Sequence, residues 1–88
     1  MLKTLLQRLR LAKTETKRPI EDLAADLSAK QQLNGTAWRH RKGGEYRIIC
    51  IAYREQTLDM EVVYEDMRAP VTYIRPLGEF MDGRFTQM

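Results

Sequence analysis

Cysteine, histidine and tryptophan each occur once in this chain, at Cys50, His40 and Trp38. A lone cysteine excludes an internal disulfide, and its setting in Ile48-Ile49-Cys50-Ile51-Ala52 reads as a small core hydrophobe of a reducing compartment. No positive neighbour or helix start lies beside it to lower the thiol pKa, so a reactive cysteine is not expected. One His and one Cys ten residues apart do not make a zinc ligand set. Glu61, Glu65 and Asp66 lack the spacing of an EF-hand. His40 is the only side chain with the ordinary pKa of a general base near neutrality, and Ser28 and Cys50 fall in a helix and a strand rather than beside it, which excludes a nucleophile triad. Gly43-Gly44 has neither the glycine spacing nor the Lys-Ser/Thr ending of a P-loop. The expectation is no metal, no cofactor and no enzyme.

Long apolar runs are also missing. Met1-Leu2-Lys3-Thr4-Leu5-Leu6-Gln7-Arg8-Leu9-Arg10 is interrupted by charge every few residues, so it reads as neither a signal peptide nor a membrane span, and a cytoplasmic protein is expected. Low-complexity segments and internal repeats are absent, and 43% hydrophobic with 31% charged residues is the composition of a folding chain. Eighty-eight residues make one domain. Such a domain buries only about 60–65% of its surface, so self-association is an expected source of further burial. The formal charge of +3 is too small to imply nucleic acid. Its distribution says more: residues 1–33 hold seven Lys/Arg against four Asp/Glu, and residues 34–88 hold eight of each. In the second part Arg39, Arg41, Lys42 and Arg47 precede Glu55, Asp59, Glu61, Glu65 and Asp66, a segregation that suits cross-strand pairing or a dipolar surface.

Leu2, Leu5, Leu6, Leu9 and Ala12 recur at helical spacing with Lys3, Arg8, Arg10 and Lys13 opposite, which predicts an amphipathic helix of about three turns. Pro19 suits a first helical position, Glu21 and Asp22 suit a positive helix start, and Ile20, Leu23, Ala24 and Leu27 supply a second stripe that Asn34-Gly35 should stop. Residues 1–33 thus read as a helical hairpin or two successive helices whose apolar faces must cover the sheet, a second copy, or both. A homodimer or higher oligomer through residues 1–33 is the expected partner.

From residue 34 the pattern turns to strands. Tyr46–Tyr53 should be a central strand covered on both faces, Met60–Glu65 a second strand and Val71–Ile74 a third, stopped at Arg75-Pro76. Leu77-Gly78-Glu79-Phe80 suits a helical turn, and Asp82-Gly83 suits a turn before an edge strand at Arg84–Gln87. The fold class is α+β, with an N-terminal helical part (1–33) and a small antiparallel barrel or curled sheet (34–88). Tyr53, Tyr64 and Tyr73 read as core-edge residues with hydrated hydroxyls.

Trp38-Arg39-His40-Arg41-Lys42-Gly43-Gly44-Glu45-Tyr46 is the candidate site. Paired glycines are a turn into the first long strand; the same turn, with Arg39, His40 and Lys42 around it and Trp38 or Tyr46 as a stacking surface, would also face an anion such as a nucleotide or another phosphate-bearing molecule. Arg75 either pairs with Glu61 or Glu65 or reaches the same pocket. A protein ligand is the close competitor. Nucleic acid ranks lower, because Ile20–Leu27 faintly resembles the leading helix of a helix-turn-helix but no basic recognition helix follows.

This block, Val62-Val63-Tyr64 and Tyr73-Ile74-Arg75-Pro76-Leu77-Gly78-Glu79-Phe80 together resemble the bacterial and phage DUF1653 domain, whose pattern runs Tyr-Arg-His-x-Lys-Gly-Gly-x-Tyr, then Val-Val-Tyr, then Trp-Val-Arg-Pro-Leu-x-x-Phe. Trp38 stands where tyrosine is usual and Tyr73 where tryptophan is. Gly83-Arg84-Phe85 is similar to the family's ending. The resemblance covers residues 35–88 and implies a compact SH3-like β-domain of no established activity. It also implies that Gly43, Gly44, Tyr46, Tyr64, Pro76 and Phe80 build the fold, which leaves Arg39, His40, Lys42 and Arg75 as the residues to test for binding.

Overall fold

The computed structural model describes residues 18–88, so the leucine stripe of residues 2–12 lies outside the described residues. Helix α1, Ile20–Ser28, starts where Pro19 sets the chain: the Pro19 carbonyl accepts the N–H groups of Asp22 and Leu23 at 3.0 and 3.1 Å, and Glu21 and Asp22 occupy the first turn. The helix ends before the expected stop at Asn34. A turn and a short 3₁₀ segment, Gln31–Leu33, intervene. On an unbroken α-helix Leu27 and Leu33 would point about 120° apart; the tighter winding lets both pack against the core. The Tyr53 hydroxyl donates to the Leu23 carbonyl at 2.8 Å, tying the helix to the sheet, while Ile20 stays 73% exposed.

Gly35, at φ +83°, turns the chain into five strands: β1 (Ala37–His40), β2 (Glu45–Tyr53), β3 (Met60–Asp66), β4 (Thr72–Pro76) and β5 (Phe85–Gln87). A four-residue helix, α2 (Leu77–Phe80), joins β4 to β5. The strands lie in the order β4-β3-β2-β1-β5, and all neighbours are antiparallel. β1 is the one strand that the sequence pattern does not mark, and β4 runs on to Pro76 rather than stopping at Ile74.

The sheet is open, not a closed SH3-like barrel. β4 and β5 are its two edges and do not pair. Pro76 removes a ladder donor where β4 ends, and β5 offers only three residues. The gap between the edges is filled by side chains. Phe80, fully buried on α2, stacks on Phe85 at 4.0 Å and meets Trp38 and Tyr64 edge-on at 5.4 and 5.2 Å.

β2 is covered on one face, and a β-bulge sets which of its residues lie there. Ile48 faces Tyr64 across the β2–β3 ladder and the next pair is Cys50 with Val63, so Ile49 is the inserted residue. Ile48 and Ile51 are thereby both buried on the core side, whereas Ile49 is 43% exposed and Cys50 only half-buried on the opposite side. The remaining core is Val62, Tyr64, Trp38, Phe80 and Phe85. Ion pairs are mostly local: Arg68 holds Asp66, Arg84 holds Asp82, and Arg39 holds its cross-strand neighbour Glu45. Among the described residues none of Arg39, Arg41, Lys42 and Arg47 pairs with the acidic run; the ion pair that spans the β2–β3 hairpin is Arg54 with Glu61, at 2.7 Å. Arg47, opposite Glu65 in register, instead donates to the Gly35 carbonyl.

Candidate functional site

Side chains of a strand alternate between faces, so Trp38 and His40 on β1, Tyr46 and Ile48 on β2, Val62 and Tyr64 on β3, and Tyr73 and Arg75 on β4 share the concave face. Its inner half is closed by α2. At the other end it opens into a pocket of about 610 Å³ lined by His40, Lys42, Gly43, Gly44, Tyr46, Tyr64, Arg68, Tyr73, Arg75 and Phe85. Of the five expected binding residues, three lie in this lining. Trp38 is committed to the core, 8% exposed, with its indole N–H given to Thr36 Oγ1 at 2.8 Å. Arg39, one residue from His40, belongs to the opposite face; it grips Glu45 at 2.7 Å and borders a neighbouring groove of about 410 Å³ with Arg41, Thr86 and Gln87. Arg68, Tyr73 and Phe85 enter the pocket without having been candidates for it. Only the β3–β4 hairpin brings Arg68 there.

Arg75 pairs with neither Glu61 nor Glu65. Its guanidinium lies 5.5 Å above the Phe85 ring, donates from Nε to the Tyr64 hydroxyl at 3.3 Å, and has Glu79 of α2 at 3.6 Å. Arg68 is clasped by both oxygens of Asp66, at 3.0 Å each, and this holds the Asp66 carboxyl below its usual range. Lys42 makes no ion pair among the described residues. Thus two pocket cations are oriented by carboxylates that sit outside the lining, and the third is free. The tyrosine hydroxyls are not all hydrated, since those of Tyr53 and Tyr64 are bonded to protein.

His40 ends β1, where the turn to β2 begins. Its Nδ1 accepts the Lys42 backbone N–H at 3.0 Å and its ring meets Phe85 edge-on at 4.8 Å. Partial desolvation, then the positive charges of Arg41, Arg75, Lys42 and Arg84, hold its pKa below the ordinary 6.5. With Nδ1 accepting that N–H, a neutral ring carries its proton on Nε2.

The two glycines of the turn serve different needs. Gly43 has φ +106° and donates to the His40 carbonyl at 2.7 Å, a conformation that a side chain would strain. Gly44 makes room: a Cβ there would lie 2.5 Å from the Tyr46 hydroxyl and 2.9 Å from its Cε2 and Cζ. The Tyr46 ring can fold over the turn because Gly44 is bare, and from there it touches Tyr64, Tyr73 and Phe85 at centroid distances of 5.4, 6.2 and 5.9 Å. The turn and the aromatic wall form one unit.

Among the described residues no three His, Cys, Asp or Glu side chains gather as a metal site would need, and no helix is long and apolar enough to cross a membrane. No curated protein and no solved structure matches the chain. The sequence model of one family, described as a protein of unknown function, matches residues 36–86, from the end of the 3₁₀ connection to β5. That span takes in every residue of the pocket lining. The chain belongs to the DUF1653 family.

Proposed function

We propose that this protein is a non-catalytic binding module whose pocket captures an anionic, phosphate-bearing small molecule. The observation that carries the reading is the charge of the lining: Lys42, Arg68 and Arg75 with the donor His40, and no carboxylate among the ten residues. Arg75 is held in place by Tyr64 and Phe85 before a ligand arrives, which lowers the ordering cost of binding. Displacing Glu79 from Arg75 costs little, because that pair is long and Glu79 is half-exposed. The Tyr46, Tyr64 and Phe85 rings give the cations a wall of low polarity, against which charge–charge attraction is screened less than in open water.

Calorimetric titration of the full chain with inorganic pyrophosphate tests the reading. Saturable binding is expected, weakening as salt is raised, with a loss of about tenfold or more for Lys42→Ala and for Arg75→Ala, since a hydrogen bond to a charged group contributes about 1.5–3 kcal/mol. Flat titrations with pyrophosphate and with phosphate esters, or equal affinity in both variants, would overturn it.

A further inference from the structure

We infer that the phosphate enters attached to a flat unsaturated ring, so that the ligand class is the nucleoside monophosphate, with its base stacked on Tyr73. This rests on the anion-binding reading and adds the second half of the ligand.

The pocket is large for a bare anion. A volume of about 610 Å³ lies within the range of roughly 300–1,000 Å³ that holds whole organic ligands. Its non-cationic wall is aromatic, and the rings differ in what they have left to offer. Phe85 is 5% exposed with one face stacked on Phe80 and Arg75 over its ring, and Tyr64 is 4% exposed between Tyr46, Phe80 and Phe85. Tyr46 is pinned against Gly44. Tyr73 differs: tilted 36° against Tyr64 at 5.6 Å and met edge-on by Tyr46 at 6.2 Å, it is still 42% exposed on the edge strand and lines the pocket. An aromatic ring that is backed by its neighbours and still exposed in a pocket with three cations is the pairing that a nucleotide requires, a stacking platform next to phosphate donors. Arg75, two residues on along β4, shares the face with Tyr73, so base and phosphate contacts come from one rigid element. Stacking reads the π-face, which every base has, so little preference among bases is expected.

The experiment is calorimetry on the full chain with ribose 5-phosphate, the four ribonucleoside 5′-monophosphates and a six-residue oligoadenylate, for the natural sequence and for Tyr73→Leu, Tyr73→Phe and Arg75→Ala. The monophosphates should bind tighter than ribose 5-phosphate by roughly 5- to 150-fold. Tyr73→Leu should remove that advantage without weakening ribose 5-phosphate, Tyr73→Phe should keep it, and Arg75→Ala should weaken both ligand types. Ribose 5-phosphate binding as tightly as the nucleotides, or Tyr73→Leu weakening both alike, overturns the inference and leaves the anion reading standing. An oligoadenylate that binds much tighter than the monomer overturns it in favour of single-stranded nucleic acid. Binding of none of these phosphates overturns both readings.

Discussion

Alanine at position 44 should damage this protein through one side chain and not through its own backbone. Unlike Gly43, Gly44 does not have a positive φ, so its backbone tolerates a Cβ; what a Cβ meets is the Tyr46 ring, at 2.5 and 2.9 Å. Unstrained heavy-atom contacts begin at about 3.5 Å, so the ring tip has to move by roughly 0.6–1 Å. The ring is not free to do so without loss, because it is in edge contact with Tyr64, Tyr73 and Phe85. Forcing such a shift costs about 1–3 kcal/mol. A double-mutant cycle isolates the cause. Gly44→Ala should lower stability by about 1–3 kcal/mol in the natural background and by less than about 0.5 kcal/mol when Tyr46 is already Leu, a less-than-additive pair read by urea denaturation of the four proteins. Ligand titration should show the same dependence, since the displaced ring intrudes on the pocket. An equal cost of Gly44→Ala in both backgrounds would mean that position 44 matters through its backbone and not through the Tyr46 ring.

Other consequences follow from the packing. Phe80→Ala removes a fully buried ring that plugs the open side of the sheet, and should cost about 3–5 kcal/mol, much of the total for a domain this small; thermal unfolding should show it as a drop of at least about 12 °C. Tyr53→Phe deletes the hydroxyl given to the Leu23 carbonyl and should cost about 1 kcal/mol, with faster amide exchange confined to Ile20–Ser28. His40 titrates below 6.5 in the folded chain, so the unfolded chain takes up the proton first; the stability linked to it is complete above that pH and is lost as pH falls through the folded value. Melting temperatures of the natural chain should therefore fall more steeply from pH 7.5 to 5.5 than those of His40→Gln, and an anion in the pocket should favour the imidazolium and bind tighter at the acid end.

The strands with strong β-branched or aromatic character, β2 and β3, are readable from composition, and Pro76 and Asp82-Gly83 mark real boundaries. β1 escapes because four residues with a charged centre carry too little alternation. The bulge at Ile49 has no compositional mark; it is a mismatch between two strands, and it puts Ile48 and Ile51 on the same buried face. Rarity drew attention to Trp38, but what separates it from His40 is position along one strand, since both face inward and only Trp38 lies under Phe80. Arg39 is parted from the site by strand alternation, a signal available once β1 is known. The spacing of Tyr73 and Arg75 already places them on one face. Arg68, by contrast, depends on how β3 and β4 pair, which no local pattern reveals.

We propose that the turn of residues 41–44, Arg68 and β4 form one binding surface. Nuclear magnetic resonance of the labelled full chain, titrated with adenosine 5′-monophosphate, tests it most directly. Saturable shifts are expected at the amides of Lys42, Gly43, Gly44, Arg68, Tyr73 and Arg75, on a single binding curve. Shifts centred instead on Ile49, Val63 and Ile74 of the opposite face, or none at millimolar ligand, would contradict it.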